Sequence, residues 1–393
     1  MRVRLIHRMQ IALVLCLAIF SASSLLAQEE EKPRAAPDTK VLDDQQWKQL
    51  DASVQRALKW LASKQNEDGS FESPEAGQAG ITSLCLMAFM AQGESPSDGK
   101  YEQQLAKAID YLIAQQKANG LIATMADNTV PISRNMPRRI SVPSIYSHAI
   151  SALALCEAYG QCNPEQAKRL TPVIEKAIAA TVEVQGWAPK LEKDVGGWRY
   201  LDSRFPTRSS DLGVTGWQLM FLRSAKNAGF DVPQNSVEAA VKFVQGCFVE
   251  DHQVLAYLPQ SPFACTRSAA AAGVLALAHA GKTNSKEALA SGDWILKHDF
   301  SKYNDCTPSY GAPAWQDRYH YGSALCSQAM FQLGGKYWKE FFPPLVEVLM
   351  ANQKEDGSWE PESADPQYGN CYTTSLCVLA LSVPNQLLPI FQR

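Results

Sequence analysis

The chain has 393 residues, 46% hydrophobic and 20% charged, with 37 basic and 40 acidic side chains and a net charge of −3. That length is large for one compact core but ordinary for an array of repeats sharing a continuous core. The near balance of charge excludes the basic footprint of a nucleic-acid binder, so no nucleic-acid partner is expected.

Residues 1–27 read as a secretory leader. Arg2, Arg4 and Arg8 give a positive start, residues 10–20 a short apolar core, and Ala27 precedes the expected cut. The apolar run is too short for a membrane span, and no stable span is expected once the leader is removed. The expected location is therefore exported, periplasmic or extracellular. Losing three arginines leaves 34 basic against 40 acidic residues. Residues 28–43 are charged and contain proline, and read as a flexible tether. Residues 44–393 read as the folded domain.

Apolar periodicity predicts twelve helices, alternating in character. Segments 46–64, 101–117, 165–184, 234–250, 285–299 and 337–352 carry one apolar stripe and one charged face. In 101–117, Leu105, Ile109, Leu112 and Ile113 interleave with Glu102, Lys107 and Asp110. Segments 78–93, 143–160, 212–228, 264–281, 319–334 and 371–383 are apolar nearly all round, as helices buried on both sides should be. No strand-like alternation is expected. Nine cysteines follow the leader. Cys85, Cys156, Cys326 and Cys377 fit as small buried hydrophobes, whereas Cys247 and Cys265 flank a loop and could pair in an oxidising compartment.

The two ends of the chain match. Gln65-Asn66-Glu67-Asp68-Gly69-Ser70-Phe71-Glu72 returns as Gln353-Lys354-Glu355-Asp356-Gly357-Ser358-Trp359-Glu360. Each copy precedes an apolar helix opening on Thr-Ser-Leu-Cys, at Thr82 and Thr374. An internal repeat fixes architecture ahead of any local signal. A solenoid would need distinct polar caps at its ends. Here the first and last repeats are the most alike, so the expected fold is all-α, an (α/α)6 toroid of six inner and six outer helices. Gln185-Gly186-Trp187 and Gln245-Gly246…Phe248 read as further copies of the helix-ending Gln, Gly and aromatic.

These Gln-x-x-x-Gly-x-aromatic ends resemble the QW-type motifs of the prenyltransferase and squalene-cyclase repeat superfamily. Gly196-Gly197-Trp198-Arg199-Tyr200, Val214–Met220 and Gln328–Trp338 resemble a secreted bacterial subgroup of it, common in planctomycetes. The resemblance spans residue 46 to the C-terminus and implies an α/α toroid. It does not bring the chemistry with it. Class II terpene cyclases of the superfamily protonate an alkene with Asp-x-Asp-Asp, and the third inner helix here offers a lone Asp211 after Ser209 and Ser210. Protein prenyltransferases bind zinc through Asp, Cys and His. The matching candidates are His320 with Cys265 or Cys371, beside Asp317, but the Asp-x-Cys spacing is missing. The Gly-Cys-Gly-Glu-Gln run of thioester-forming rings is absent.

Arginines and aromatics gather where inner helices begin: Arg199, Arg267 and Arg318, with Arg134, Arg138 and Arg139 in the loop before the second, and Trp198, Tyr200, Tyr146, Trp315, Tyr319, Tyr321 and Tyr372. Helix N-termini favour anions, so this mouth suits a small-molecule or glycan ligand with a ring body and an acidic group. The structural alternative is that the arginines cap carbonyls and pair with Asp194, Asp202 and Asp317. Ligand binding at the mouth, without a cofactor, is the leading expectation. One alternative is an enzyme on an isoprenoid, with Asp211 or another acid. Another is a polysaccharide lyase or hydrolase using Tyr319, His320 and Arg267 or Arg318. An apolar central cavity would favour the isoprenoid, an open groove of Arg, Tyr and His the lyase, and a filled, shallow centre binding alone.

Overall fold

The computed structural model describes residues 40–74, 77–124, 138–187, 191–200, 210–306, 308–309 and 312–392, with backbone alone for 138–143, 308–309 and 312–316. Among the described residues twelve helices alternate: α1 (Asp44–Ala62), α2 (Gln78–Met90), α3 (Glu102–Ala114), α4 (Arg138–Tyr159), α5 (Pro164–Gln185), α6 (Leu212–Asn227), α7 (Gln234–Gly246), α8 (Arg267–His279), α9 (Lys286–Lys297), α10 (Tyr319–Leu333), α11 (Gly335–Ala351) and α12 (Gly369–Leu381). Even-numbered helices form the inner ring. Each packs beside the next, and α12 packs against α2, so the ring closes. Odd-numbered helices pack outside, and α11 meets α1 across the seam. The fold is an all-α toroid.

The sequence pattern explains the two layers. In α2 every residue from Ala79 to Met90 is buried, whereas α1 buries only one stripe, including Leu50, Val54, Leu58 and Leu61. Outer helices α1, α5 and α9 start on side-chain caps. Asp43 and Gln46 exchange side-chain to backbone bonds at 2.8 and 2.9 Å, and Asn163 and Gln166 do the same at 2.9 and 3.1 Å.

The repeat is held by one device used four times. Gln65 Nε2 donates to Gly69 O (3.0 Å) within its own loop and to Gln104 O (2.8 Å) on the next outer helix. Gln116 bonds Gly120 O and Val173 O, and Gln185 bonds Gly196 O and Ser236 O. Gln353 bonds Gly357 O and Ser53 O, both at 2.9 Å, which ties the last repeat to the first. The four glycines have φ near +90° and lie against a carbonyl of the following outer helix, where a Cβ would come within 2.1–2.6 Å of it. The aromatic then turns inward. The amides of Phe71, Trp198 and Trp359 donate to Thr82, Thr215 and Thr374 of the adjacent inner helices at 3.0–3.2 Å. In the second repeat Ile122 donates to His148 instead.

Four expectations change here. The third copy of the device is Gln185…Gly196-Gly197-Trp198, not Gln185-Gly186-Trp187. The second copy, at Gln116 and Gly120, lacks an aromatic and escaped the pattern. Gln245-Gly246…Phe248 leads instead into a short antiparallel hairpin, β1 (Phe248–Val249) with β2 (Val254–Leu255). A second hairpin pairs β3 (Pro308–Ser309) with β4 (Ala312–Gln316), so strands are present after all. Cys247 and Cys265 are free thiols rather than a disulfide. Among the described residues no helix is long and apolar enough to cross a membrane.

The inner helices all begin at one end of the ring, the mouth. The opposite end is crossed by the C-terminal segment, built of 3-10 turns at Val383–Asn385 and Pro389–Phe391.

Candidate functional site

Asp211 anchors the mouth. It is the N-cap of α6, with Oδ1 accepting from the Val214 amide at 2.8 Å, and it is fully buried. Arg199 Nη1 lies 3.4 Å from Oδ2. Burial pushes this carboxyl up to about 6, against the Arg199 guanidinium, the Val214 and Gly213 amides and the Tyr257 hydroxyl, which all favour its charge.

Tyrosines surround it. The Tyr200 and Tyr257 hydroxyls bond to each other at 2.5 Å, and the Arg199 guanidinium lies over both rings at 4.9 and 5.5 Å. Tyr146 lies 6.2 Å from Tyr200, ring to ring. It rests on the bare backbone of Gly213, where a Cβ would meet its hydroxyl at 2.6 Å. Burial raises the Tyr146 phenol, reinforced by Tyr200, Tyr257, Asp211 and Tyr321. Across the mouth, Trp217 Nε1 donates to Tyr321 Oη at 2.7 Å. Arg318 is ion-paired with Asp365 and lies within electrostatic reach of Tyr372 and Tyr146. Tyr368 and Tyr372 sit 5.4 Å apart beside it.

The floor under this cup is packed. Residues four and seven positions along an inner helix lie on one face. Below Tyr146 on α4 these are Ile150 and Leu153, below Tyr321 on α10 Leu325 and Gln328, and below Tyr372 on α12 Leu376 and Leu379. All six are 0–7% exposed. The cup is half-buried and rich in phenolic hydroxyls.

The other predicted residues lie in a buried layer between repeats. Trp198 is the packed aromatic of the third repeat, with Nε1 donating to Thr181 O at 2.8 Å, so it does not reach a ligand at the mouth. Arg267 is spent on Asp317. Its Nε and its own backbone amide donate to Asp317 Oδ2 at 2.7 and 2.8 Å, Nη1 bonds Asp299 O, and the guanidinium lies 3.9 Å from the Phe300 ring centre. This is the structural alternative realised at Asp317. Asp194 instead accepts from the Ser210 amide. Tyr319 donates to Phe300 O at 2.8 Å.

His320 is fully buried. Its Nε2 is 3.2 Å from Tyr303 Oη, and its Nδ1 is 3.4 Å from Glu362 Oε2. Glu362 reaches across from the last repeat to cap α10, accepting from the Tyr319 and His320 amides at 2.9 Å. Burial works to raise this carboxyl, yet His320 and those amides outweigh it and hold it below the usual range. The zinc expectation required His320 with Cys265 or Cys371, and these residues do not form a ligand set. Cys265 donates to Pro262 O, and Cys371 lies among Cys85, Glu72 and Lys64. Burial pushes the two thiols up to about 11 and about 12. Among the described residues no group of three or more His, Cys, Asp or Glu is placed to hold a metal.

Arg199, Tyr200, Asp211, Tyr146, Arg318 and Tyr372 therefore converge at the mouth. Tyr257, Trp217, Glu362 and Asp365 were missed. Arg134, the side chains of Arg138, Arg139 and Trp315, and Asp202 lie outside the described residues.

No family model matches the sequence, and no curated protein does. Solved structures do match. A variant of the type II terpene cyclase MstE from Scytonema, in complex with its product merosterolic acid A, is similar at 13% identity and a TM-score of 0.56, over 89% of this chain and 100% of that one. A GH76 α-mannanase from Bacteroides thetaiotaomicron is similar at 11% identity and a TM-score of 0.56, over 85% and 94%. An α-amylase from Clostridium perfringens is similar at 11% identity and 0.53, over 84% and 97%. At such identities the likeness establishes the α/α-toroid fold alone.

Proposed function

We propose that this chain is an exported α/α toroid of the secreted bacterial type, binding an oligosaccharide at its tyrosine-lined mouth. The observation that carries this reading is the cup itself: phenolic hydroxyls, two arginines and a buried carboxyl above a packed floor. Aromatic faces suit the C–H faces of a sugar ring. Phenols and guanidinium suit its hydroxyls, with the ion-paired Arg318 at the rim. A polyprenyl chain needs depth and apolar walls, and the buried layer under the tyrosines speaks for a ligand held at the mouth instead. Two of the similar toroids, the α-mannanase and the α-amylase, bear names of sugar-acting enzymes.

A second reading is favoured by Asp211. A carboxyl at about 6 keeps a sizeable protonated fraction at mildly acid pH, and it can serve as a general acid toward a glycosidic oxygen once ligand entry exposes it.

Calorimetric titration with neutral and uronate-containing oligosaccharides, alongside geranylgeraniol, separates these readings. Asp211→Asn keeps an N-cap acceptor and Tyr321→Phe keeps the ring. Each is expected to weaken oligosaccharide binding about tenfold, the loss of one hydrogen bond of about 1.4 kcal/mol. Binding of geranylgeraniol but no oligosaccharide would overturn the proposal. Product release abolished by Asp211→Asn would establish the second reading.

A further inference from the structure

The closed end of the toroid carries a carboxyl that the mouth does not use. Glu157 lies near the C-terminus of α4 and is 2% exposed. Its two oxygens serve two different elements. Oε1 accepts from the Ser224 hydroxyl of α6 at 2.5 Å, and Oε2 accepts from the backbone amide of Ile390 at 3.1 Å. Ile390 belongs to the C-terminal segment, which carries no helix longer than a 3-10 turn. Its polar ties to the ring include Gln332 Nε2 to Phe391 O at 3.0 Å, Asn385 Nδ2 to Ala91 O at 3.5 Å, and Gln92 Nε2 to Ser382 Oγ at 2.6 Å. Leu388, Ile390 and Phe391 are buried beneath it.

We propose that the segment Ser382–Phe391 is a strap over the closed end, latched by protonated Glu157 and loosened when that proton is lost. Both bonds favour the carboxylate, but burial outweighs them; on protonation Oε2 still accepts from Ile390, and the Ser224 bond reverses, with the acid's hydroxyl donating to Ser224 Oγ. The ionised acid sits in an apolar layer beside two neutral donors. The neighbouring Cys156 thiol on α4 adds no positive charge, and Arg223, next to Ser224 along α6, acts on His279. Among the described residues no Lys, Arg or His pairs with Glu157. Opening the strap admits water to the carboxylate, so ionisation and opening favour each other.

Burial pushes Glu157 up to about 7, from an ordinary 4.5. A raised folded-state value means the strap's extra stability is complete below about 4.5 and is lost as pH rises through about 7. The measurement is backbone amide exchange of residues 383–392 in the whole chain, corrected for the intrinsic pH dependence of exchange. Protection is expected to fall more than tenfold (on the order of fifty-fold at most) between pH 5 and 7.5, then level off. Asp211 titrates in an overlapping window, but at the other end of the ring, so the reading is local. Glu157→Gln mimics the protonated acid and is expected to remove the pH dependence, keeping the strap protected at pH 8. Ser224→Ala, which takes one donor from the carboxylate, is expected to move the loss of protection to higher pH. Protection in the parent chain that is flat with pH, or a loss that persists unchanged in Glu157→Gln, overturns the proposal. If Glu157→Gln does not fold, an unmoved window in Ser224→Ala overturns it instead.

Discussion

Asp317→Ala is expected to lower folding stability by about 3–5 kcal/mol, the cost of leaving a buried charge without its partner. Arg267 and Asp317 are both about 5% exposed, and their ion pair joins the openings of α8 and α10. With the carboxylate gone, among the described residues the guanidinium keeps Asp299 O and the Phe300 face, and the first amide of α8 loses its acceptor. Asp317→Asn retains an oxygen for that amide and is expected to cost less. Urea unfolding of the three proteins checks the order. A loss below about 1 kcal/mol for the alanine variant would mean that the pair behaves as a solvated one. The same experiment decides the role of Arg267: a structural arginine costs stability, whereas a ligand arginine costs affinity at the cup with the fold intact.

The architecture was readable because its causes are local and repeated. A helix buried on both sides must be apolar all round, and one facing water on one side cannot be, so the alternation of α1 to α12 stands in the residue pattern. The ring closure was readable because Gln353 and Gly357 must meet the first repeat as Gln65 and Gly69 meet the second. The hairpins were not readable: strands of two to five residues carry too few alternations to separate from loops. The site was half readable. Arg199, Asp211 and Arg318 lie close to the starts of inner helices, and their sequence position places them at the mouth. Which arginine faces a ligand depends on where the nearest acid falls, and those acids come from far along the chain. Asp317 reaches Arg267 across 50 residues, and Asp365 reaches Arg318 across 47. Glu362 caps α10 from 42 residues away and draws His320 into a buried layer. No local pattern announces such partners. Tyr257 enters the cup from a loop after β2 that has no helical period at all.

The glycines give the sharpest contrast between the two levels. Gly196→Ala is expected to destabilise the toroid by about 3 kcal/mol or more, whereas Gly186→Ala, ten residues earlier, is expected to be neutral or stabilising by up to about 1 kcal/mol. Both glycines follow the same Gln185. Gly196 has φ +92°, and a Cβ there would lie 2.1 Å from Ala239 O on α7, so the side chain meets backbone that cannot yield. Gly186 sits in right-handed helical geometry, with Glu183 O at an ordinary 3.6 Å from a Cβ. Gly357→Ala repeats the first case at the seam, with φ +94° and a Cβ 2.6 Å from Arg56 O. It carries an extra consequence, because this contact and Gln353 join the last repeat to the first. Straining it separates α11 from α1, and a toroid without closure exposes the edges of α12 and α2. Thermal unfolding of the three variants is therefore expected to rank them, with Gly186→Ala near the parent and the other two several degrees lower. Proteolysis of Gly357→Ala is expected to begin at the first or last repeat. Equal melting of Gly186→Ala and Gly196→Ala would mean that the loop carrying Trp198 does not hold the third repeat to the fourth.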